Sequence, residues 1–384
     1  DVLGSRGLGD VYKRQIDKYN HLLDFYLQYA KDFNEKHHFD IMAGYSWQHF
    51  HRSTENAYNN LNGDNPTSYI FKTESYLISF FGRVNYSFMN RYLITATLRN
   101  DGTSRFSKDN RWGLFPSVAL GWKIKEEGFM KDVDAVSDLK LRLGYGITGQ
   151  QDISQGDYPY MATYFAGQDG AYYQFGDQFV PIARPDGYNP NLKWEQTAML
   201  NIGLDFTLFN SRLSGTIEWY DKRTKDMLYN YEVSTPTYVY NQIQANVGDM
   251  KNTGVEILLN LDVIRNKDFT WTTSLNLAHN KNEITKLSNE LFSTGRVYVG
   301  DPWIRGASGV TSHVVEEGRP VGQFFMLKCN GLDENGKFII EDINGDGQIT
   351  DDDRTYVGDA QPDLTYGWNC LLYTSPSPRD PKTS

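Results

Sequence analysis

The connections between candidate strands alternate between short and long, and this constrains the fold more than any other feature of the chain. Most segments alternate apolar and polar residues with period two, as a strand with two unlike faces does. In residues 77–88, Ile78, Phe80, Val84, Tyr86 and Phe88 share one face with Gly82. Ser79, Arg83, Asn85 and Ser87 lie on the other, with Leu77 and Phe81. Residues 92–99 repeat the pattern after only Met89, Asn90 and Arg91, a spacing that predicts a tight hairpin. Extending the pattern predicts strands over 22–33, 38–51, 76–88, 91–99, 112–125, 138–149, 194–209, 212–225, 252–263 and 269–283. The links at 34–37, 89–90, 210–211 and 264–268 are short, and 126–137 is of medium length. Those at 52–75, 100–111, 150–193, 226–251 and from 283 onward are longer. In an antiparallel meander every second connection lies on the same side. One side therefore carries turns and the other carries loops, the asymmetry of transmembrane β-barrels.

Strand length points the same way. Soluble strands usually run about 5–6 residues, whereas a tilted membrane-spanning strand needs about 9–11. Aromatics sit near strand ends (Trp47, Tyr76, Phe88, Tyr92, Trp112, Trp194, Phe209, Trp219 and Trp271), where they would form interfacial girdles. The chain is 14% aromatic, which disfavours disorder. Its 48 acidic residues outnumber 38 basic ones, which disfavours nucleic acid as a partner. It contains no apolar run of the roughly 18 residues that a transmembrane helix needs. Cys329 and Cys370 make neither a disulfide framework nor a metal cluster. A large soluble all-β protein with an aromatic core remains the alternative. The cheap discriminator is whether the apolar faces point outward as one band or inward between two sheets.

Five blocks carry a resemblance. They are RVNYSFMNRYLITATLRNDGTSRFSKDNRWGLFPSVALGWKI (83–124), SDLKLRLGYGITGQQDI (137–153), YNPNLKWEQTAMLNIGLDF (188–206), NVGDMKNTGVEILLN (246–260) and DINGDGQITDDDRTYVGDAQPDLTYGWN (342–369). In this order they resemble the barrel of SusC/RagA-type TonB-linked outer-membrane transporters. The resemblance implies an all-β, antiparallel transmembrane barrel meander, with about 10–12 strands of a larger barrel of about 22. It also implies the outer membrane of a Bacteroidetes-type bacterium and import of an oligosaccharide or peptide. Its implied partners are a SusD-like lipoprotein, outer-membrane lipid and the TonB complex, reached through a plug that this chain lacks. No cofactor and no catalysis are implied. The usual C-terminal strand ending in an aromatic is also missing. The ends read as foreign: DVLGSRGLGDVYKRQ (1–15) lacks the apolar core of a signal peptide, and it and CLLYTSPSPRD (370–380) resemble translated sequencing-adapter read-through. Residues 16–369 are thus expected to be an internal barrel fragment, with 1–15 and 370–384 non-native.

The sharpest chemical motif runs from Asp342 to Asp353. Asp342, Asn344, Asp346, Gly347, Gln348 and Asp353 fit positions 1, 3, 5, 6, 7 and 12 of an EF-hand loop, with Gln348 offering its backbone carbonyl. The departures are Asp353, where a bidentate Glu is usual, and the lack of flanking helical patterns. If filled, the loop would hold a structural Ca²⁺. The other reading is a solvated acidic turn. A soluble or surface-attached carbohydrate-binding protein with a calcium loop is the alternative function. His49 and His51 share a strand face, but no third metal ligand is evident, which favours a polar lumen or loop-base face over a metal site. Substrate contact is expected from the long loops. Tyr158, Tyr160, Tyr164, Tyr172 and Tyr173 crowd one of them, and Tyr238 stands in the next with Tyr229, Tyr231 and Tyr240. Such rings stack on sugars and peptide side chains; packing against the lipoprotein is the competing role.

Overall fold

The computed structural model describes residues 11–59, 67–152, 156–165, 172–185, 187–233, 242–288, 295–301 and 309–374. Eleven strands form one antiparallel sheet in which neighbours in sequence are neighbours in space. They are β1 (Val11–Phe33), β2 (His37–Asn59), β3 (Thr67–Phe88), β4 (Tyr92–Thr103), β5 (Trp112–Lys123) and β6 (Val136–Gln150), followed by β7 (Glu195–Leu208), β8 (Leu213–Lys225), β9 (Asp249–Arg265), β10 (Phe269–Lys286) and β11 (Thr365–Thr374). The sheet is open, with β1 and β11 at its two edges. Because barrel diameter scales with the number of strands, eleven strands would cover about half of the circumference of a barrel of about 22. All ten expected strands are present. Near the loops β1, β2 and β3 run further than the expected 22–33, 38–51 and 76–88. The eleventh, Thr365–Thr374, continues the same alternation with Tyr366, Trp368 and Leu372 on one face.

The register separates the two faces. One bonded row across eight strands reads Phe39, Tyr86, Ile94, Leu120, Leu143, Ile202, Trp219 and Val255. The adjacent row on the other face reads Asp40, Asn85, Thr95, Ala119, Gly144, Asn201, Tyr220 and Gly254. In the first row Phe39 and Tyr86 are half-buried, and the large side chains from Ile94 to Val255 are exposed. They form an outward apolar band, as a lipid-facing wall does, and they are not sandwiched between sheets. The second face is polar or small and lines the lumen. Trp47, Tyr76, Trp112 and Trp219 lie on the outward face, as girdle residues would. Trp194 does not: it is 5% exposed and packs with Phe106, Phe115 and Leu192 at the base of the loops. The chain turns inward just before β7, so this ring fills space above the lumen.

The short connections are tight. Lys36 N–H bonds Phe33 O, Arg91 N–H bonds Phe88 O and Arg212 N–H bonds Phe209 O. The central residues Asn34 and Glu35, Met89 and Asn90, and Asn210 and Ser211 all have φ between 52° and 66°. These are type I′ turns, whose twist matches that of paired strands. Each turn also bonds its neighbour: Met89 N–H to Lys36 O (2.6 Å), Lys123 N–H to Arg91 O (2.8 Å) and Asp262 N–H to Arg212 O (2.8 Å). The turn side is therefore a bonded rim. The other side holds small sheets built from the loops. One is four-stranded (Arg296–Val299, His313–Glu316, Gln323–Leu327 and Arg354–Asp359) and lies within the connection expected to be a loop from 283 onward.

The outward band makes a depth-dependent prediction. In the full-length protein, Leu143→Arg on the lipid face is expected to destabilise the barrel by about 2–4 kcal/mol. Thr97→Arg on the lumen face should cost far less. Urea unfolding in lipid vesicles compares them, and equal losses would reverse the assignment of faces.

Candidate functional site

The lumen wall carries a fixed charge network. Arg142 on β6 donates two bonds to Asp205 on β7 (Nε, 2.8 Å; a terminal nitrogen, 3.0 Å) and a third to Glu218 on β8 (3.3 Å). Thr216 Oγ1 donates to Asp205 at 3.0 Å, and the Asn201 amide donates to Glu218. A fork of this kind holds guanidinium and carboxylate planes in one orientation. Arg99 pairs with Asp101 and donates to Ser79 Oγ at 2.8 Å. The wall facing the lumen is thus polar, oriented and largely charge-compensated.

Above it the loops close down on one another. Asn246 Nδ2 donates to Lys193 O (2.9 Å) and to Asp226 O (2.8 Å), while Lys193 N–H donates to Asn246 Oδ1. Asn189 Nδ2 donates to Gln244 O at 2.9 Å. The Trp194 indole N–H donates to Arg111 O at 2.9 Å and its ring meets Phe106 and Phe115 edge-on. Glycine is required opposite them: a Cβ at Gly149 would collide with the Phe115 ring. Beside this packed base, Arg105 binds Asp157 (2.9 Å) and Asp152 (2.9 Å), and Thr73 on β3 donates to Asp157. They border a groove of about 420 Å³ that also includes Lys18, Asn20 and Arg52. Sequence reasoning missed this cluster. Its residues come from three distant segments, so no local motif marks them; the only signal was charge in otherwise short polar stretches.

The expected substrate tyrosines divide. Tyr158 is anchored, its hydroxyl donating to Glu74 O at 2.8 Å. Tyr160 is half-buried next to it. Tyr164 is exposed in a two-residue strand that pairs with Arg184–Pro185. Tyr172 and Tyr173 stand on a hairpin (Tyr172–Phe175 with Gln178–Pro181), both more than half exposed. Tyr173 lies against Phe175, ring centroids 4.7 Å apart, on an apolar shelf with Val180 and Ile182. Tyr238 falls outside the described residues, as does Tyr240. His49 and His51 lie on the outward face above the apolar band, not in the lumen. Each approaches Glu74 (3.5 and 3.1 Å), and they stack on Tyr76 and Tyr19 respectively.

The segment Asp342–Asp353 curls into a closed loop. The two Asp342 carboxylate oxygens accept Gly345 N–H (2.7 Å) and Gly347 N–H (2.8 Å). Asn344 Oδ1 accepts Asp346 N–H, and Asp346 Oδ1 accepts Gln348 N–H. Asp353 is fully buried. Its oxygens accept Ile343 N–H (2.9 Å) and Thr350 N–H (2.8 Å), so it ties the loop's end to its beginning. Bonds from the N–H groups of Thr350, Asn344 and Ile343 hold its carboxyl below the usual carboxylate range. Among the described residues, no group of three or more His, Cys, Asp or Glu side chains is arranged to hold a metal ion.

A wall with an outward apolar band, a polar inner face, turns on one side and folded loops on the other is a membrane-barrel wall. Residues 2–314 match the family described as TonB dependent receptor-like, beta-barrel. The chain belongs to the TonB-dependent receptor β-barrel family. It is 44% identical over 367 residues to TonB-dependent receptor SusC of Bacteroides thetaiotaomicron, which covers 91% of this chain and 36% of that protein. It is 34% identical over 386 residues to TonB-dependent receptor P3 of Formosa agariphila, covering 91% of this chain and 37% of that one. The structure of the RagAB peptide transporter matches with a TM-score of 0.78 at 25% identity, covering 95% of this chain and 41% of that chain. The barrel is of the SusC/RagA type, and the family resides in the outer membrane. TonB-dependent receptors are not a class of enzymes. The chain spans little more than a third of the curated relatives' length.

The Asp353 clamp has a pH dependence of definite sign. Because its folded pKa is depressed, its contribution is present above the unfolded value of about 3.9 and is lost as pH falls through the folded value. The protection factors of the Ile343 and Thr350 amides, taken relative to intrinsic exchange at each pH, should fall on acidification below about pH 4. In Asp353→Asn, protection should already be low at neutral pH. Undiminished protection in that variant would show that the carboxylate does not close the loop.

Proposed function

We propose that this chain forms part of the wall of a TonB-dependent importer that carries an oligosaccharide or peptide across the outer membrane. A SusD-like lipoprotein would cap the loop side, and TonB would act through a plug inside the lumen. The observation that carries this reading is the 44% identity to SusC over 91% of the chain. The likeness to the RagAB peptide transporter supports the same reading. The wall would act by binding and release, with no bond made or broken. The soluble carbohydrate-binding alternative would need the apolar rows turned inward, and the register turns them out.

Tyr172 and Tyr173 are the rings best placed for substrate, being exposed on the loop hairpin, whereas Tyr158 spends its hydroxyl on the β3 backbone. Tyr160, Tyr164 and Tyr238 complete the proposed aromatic set. Losing one stacking face is worth about 1–1.4 kcal/mol, or about five- to tenfold in affinity. In the full-length transporter, Tyr172→Ala should weaken uptake by that order while the lipoprotein still co-purifies. Unchanged uptake would remove this hairpin from the binding site.

We also propose a structural Ca²⁺ in the Asp342–Asp353 loop. Its donors would be hard oxygens, the kind this ion prefers: Asp342, Asn344, Asp346 and the Gln348 carbonyl. Asp353 would keep the loop closed around them. Calorimetric titration of the full-length protein should show Ca²⁺ heat that Asp346→Ala abolishes. Identical traces for the two proteins, or no heat in either, would leave the loop a metal-free turn.

A further inference from the structure

On the turn side one connection departs from the tight pattern. Residues 124–135 join β5 to β6 through two 3-10 turns, Ile124–Glu126 and Gly128–Met130. Glu127 lies between them, and its carboxylate gathers three donors: Tyr92 Oη (2.6 Å), Trp122 Nε1 (3.0 Å) and an Arg91 terminal nitrogen (3.4 Å). Tyr92 and Trp122 are paired residues of β4 and β5 and belong to the outward face. The carboxylate therefore straps this segment against the lipid side of the wall, and not beneath the lumen. Phe129, two residues on, is 66% exposed.

The segment's backbone is provided for. Glu127 N–H bonds Ile124 O, Met130 N–H bonds Glu127 O, Val133 N–H bonds Met130 O and Val136 N–H bonds Val133 O. Lys125 Nζ donates to Met130 O (3.0 Å) and Val133 O (2.9 Å). Backbone groups satisfied in this way tolerate a poorly hydrated interface. Immediately beside the strap, Tyr92, Ile94, Leu120, Trp122, Leu141 and Leu143 border a groove of about 350 Å³ on the outward face. It runs from the girdle rings into the apolar band.

We propose that residues 124–133 form an interfacial foot that seats a glycerophospholipid of the periplasmic leaflet. An acyl chain would lie in the groove along Ile94, Leu120 and Leu143, and Phe129 would enter the boundary between headgroups and chains. Arg91, paired with Glu127, and the exposed Lys131 would supply the cations for its phosphate. The occupant is lipid because the groove continues the lipid-facing band without a polar break, and because a protein partner there would have to displace the bilayer. The inference needs the barrel to sit in a membrane but not that it imports any particular nutrient.

The test uses the full-length transporter with Cys329 and every other native cysteine replaced by Ser, reconstituted in phosphatidylethanolamine–phosphatidylglycerol nanodiscs. A nitroxide is attached at Phe129→Cys and, separately, at Asn335→Cys on the opposite side. At 129, collision with molecular oxygen should exceed collision with a water-soluble nickel chelate, and the nickel rate should be several-fold lower than at 335. Adding Glu127→Gln should release the strap and raise both label mobility and nickel access. Equal nickel access at 129 and 335 would overturn the foot; protection from both reagents would replace lipid with a protein contact. Native mass spectrometry of the detergent-purified protein should show retained phospholipid that is lost in Phe129→Ser. Retention unchanged in that variant would overturn the lipid seat. Heat-modifiable migration confirms that each variant is a folded barrel.

Discussion

A backbone in hydrocarbon has no water to bond, so each strand must bond its neighbours. That requirement governs this wall. It makes the sheet a sequential meander, since each new strand must find a partner immediately. It makes the side chains alternate, since one face of every strand meets lipid and the other meets the lumen. It also explains why the bonding continues past the strands into the rim, where Met89 bonds the turn at Lys36 and the end of β5 at Lys123 bonds the turn at Arg91. The edge strands β1 and β11 are the places where the requirement is unmet by the described sheet, and they are where further strands of a complete wall would add.

The two sides of the wall solve different problems. At the type I′ turns the residues do little but reverse the chain, and left-handed Asn34 and Asn90 do this without insertions. On the loop side, polar and aromatic residues from distant segments lock together. Asn246 bonds both Lys193 and Asp226, which also pair with each other, and Trp194 sits over Phe115 of the lumen face. These bonds fix where the loops leave the wall, at Lys193–Trp194, Asp226 and Asn246.

Much of the fold was legible because period-two alternation is a local signal and the membrane makes it strict. The strand positions and the side on which each connection lies followed from it. What was not legible depends on contacts between distant segments. Trp194 looked like a girdle aromatic, since it stands at a strand end, but Leu192 and Phe106 draw it inward. The upper extensions of β1, β2 and β3 are too polar to read as strands alone; pairing with one another carries them. The Arg105–Asp157–Thr73 cluster and the placement of Glu74 between His49 and His51 are likewise products of register. The Asp342–Asp353 loop is the opposite case. Its side-chain-to-backbone bonds lie within a dozen residues, so its curl follows directly from the spacing.

The type I′ turns have a consequence for how such a protein can change over generations. With paired left-handed residues and a bond to the adjoining strand or turn, a one-residue insertion there would shift the register and exchange lipid-facing for lumen-facing side chains along a whole strand. The long connections carry no such coupling; a sheet as large as that of Arg296–Val299 and its partners fits inside one of them. Novelty can therefore accumulate in the long connections, while the type I′ turns stay fixed in length from one descendant to the next.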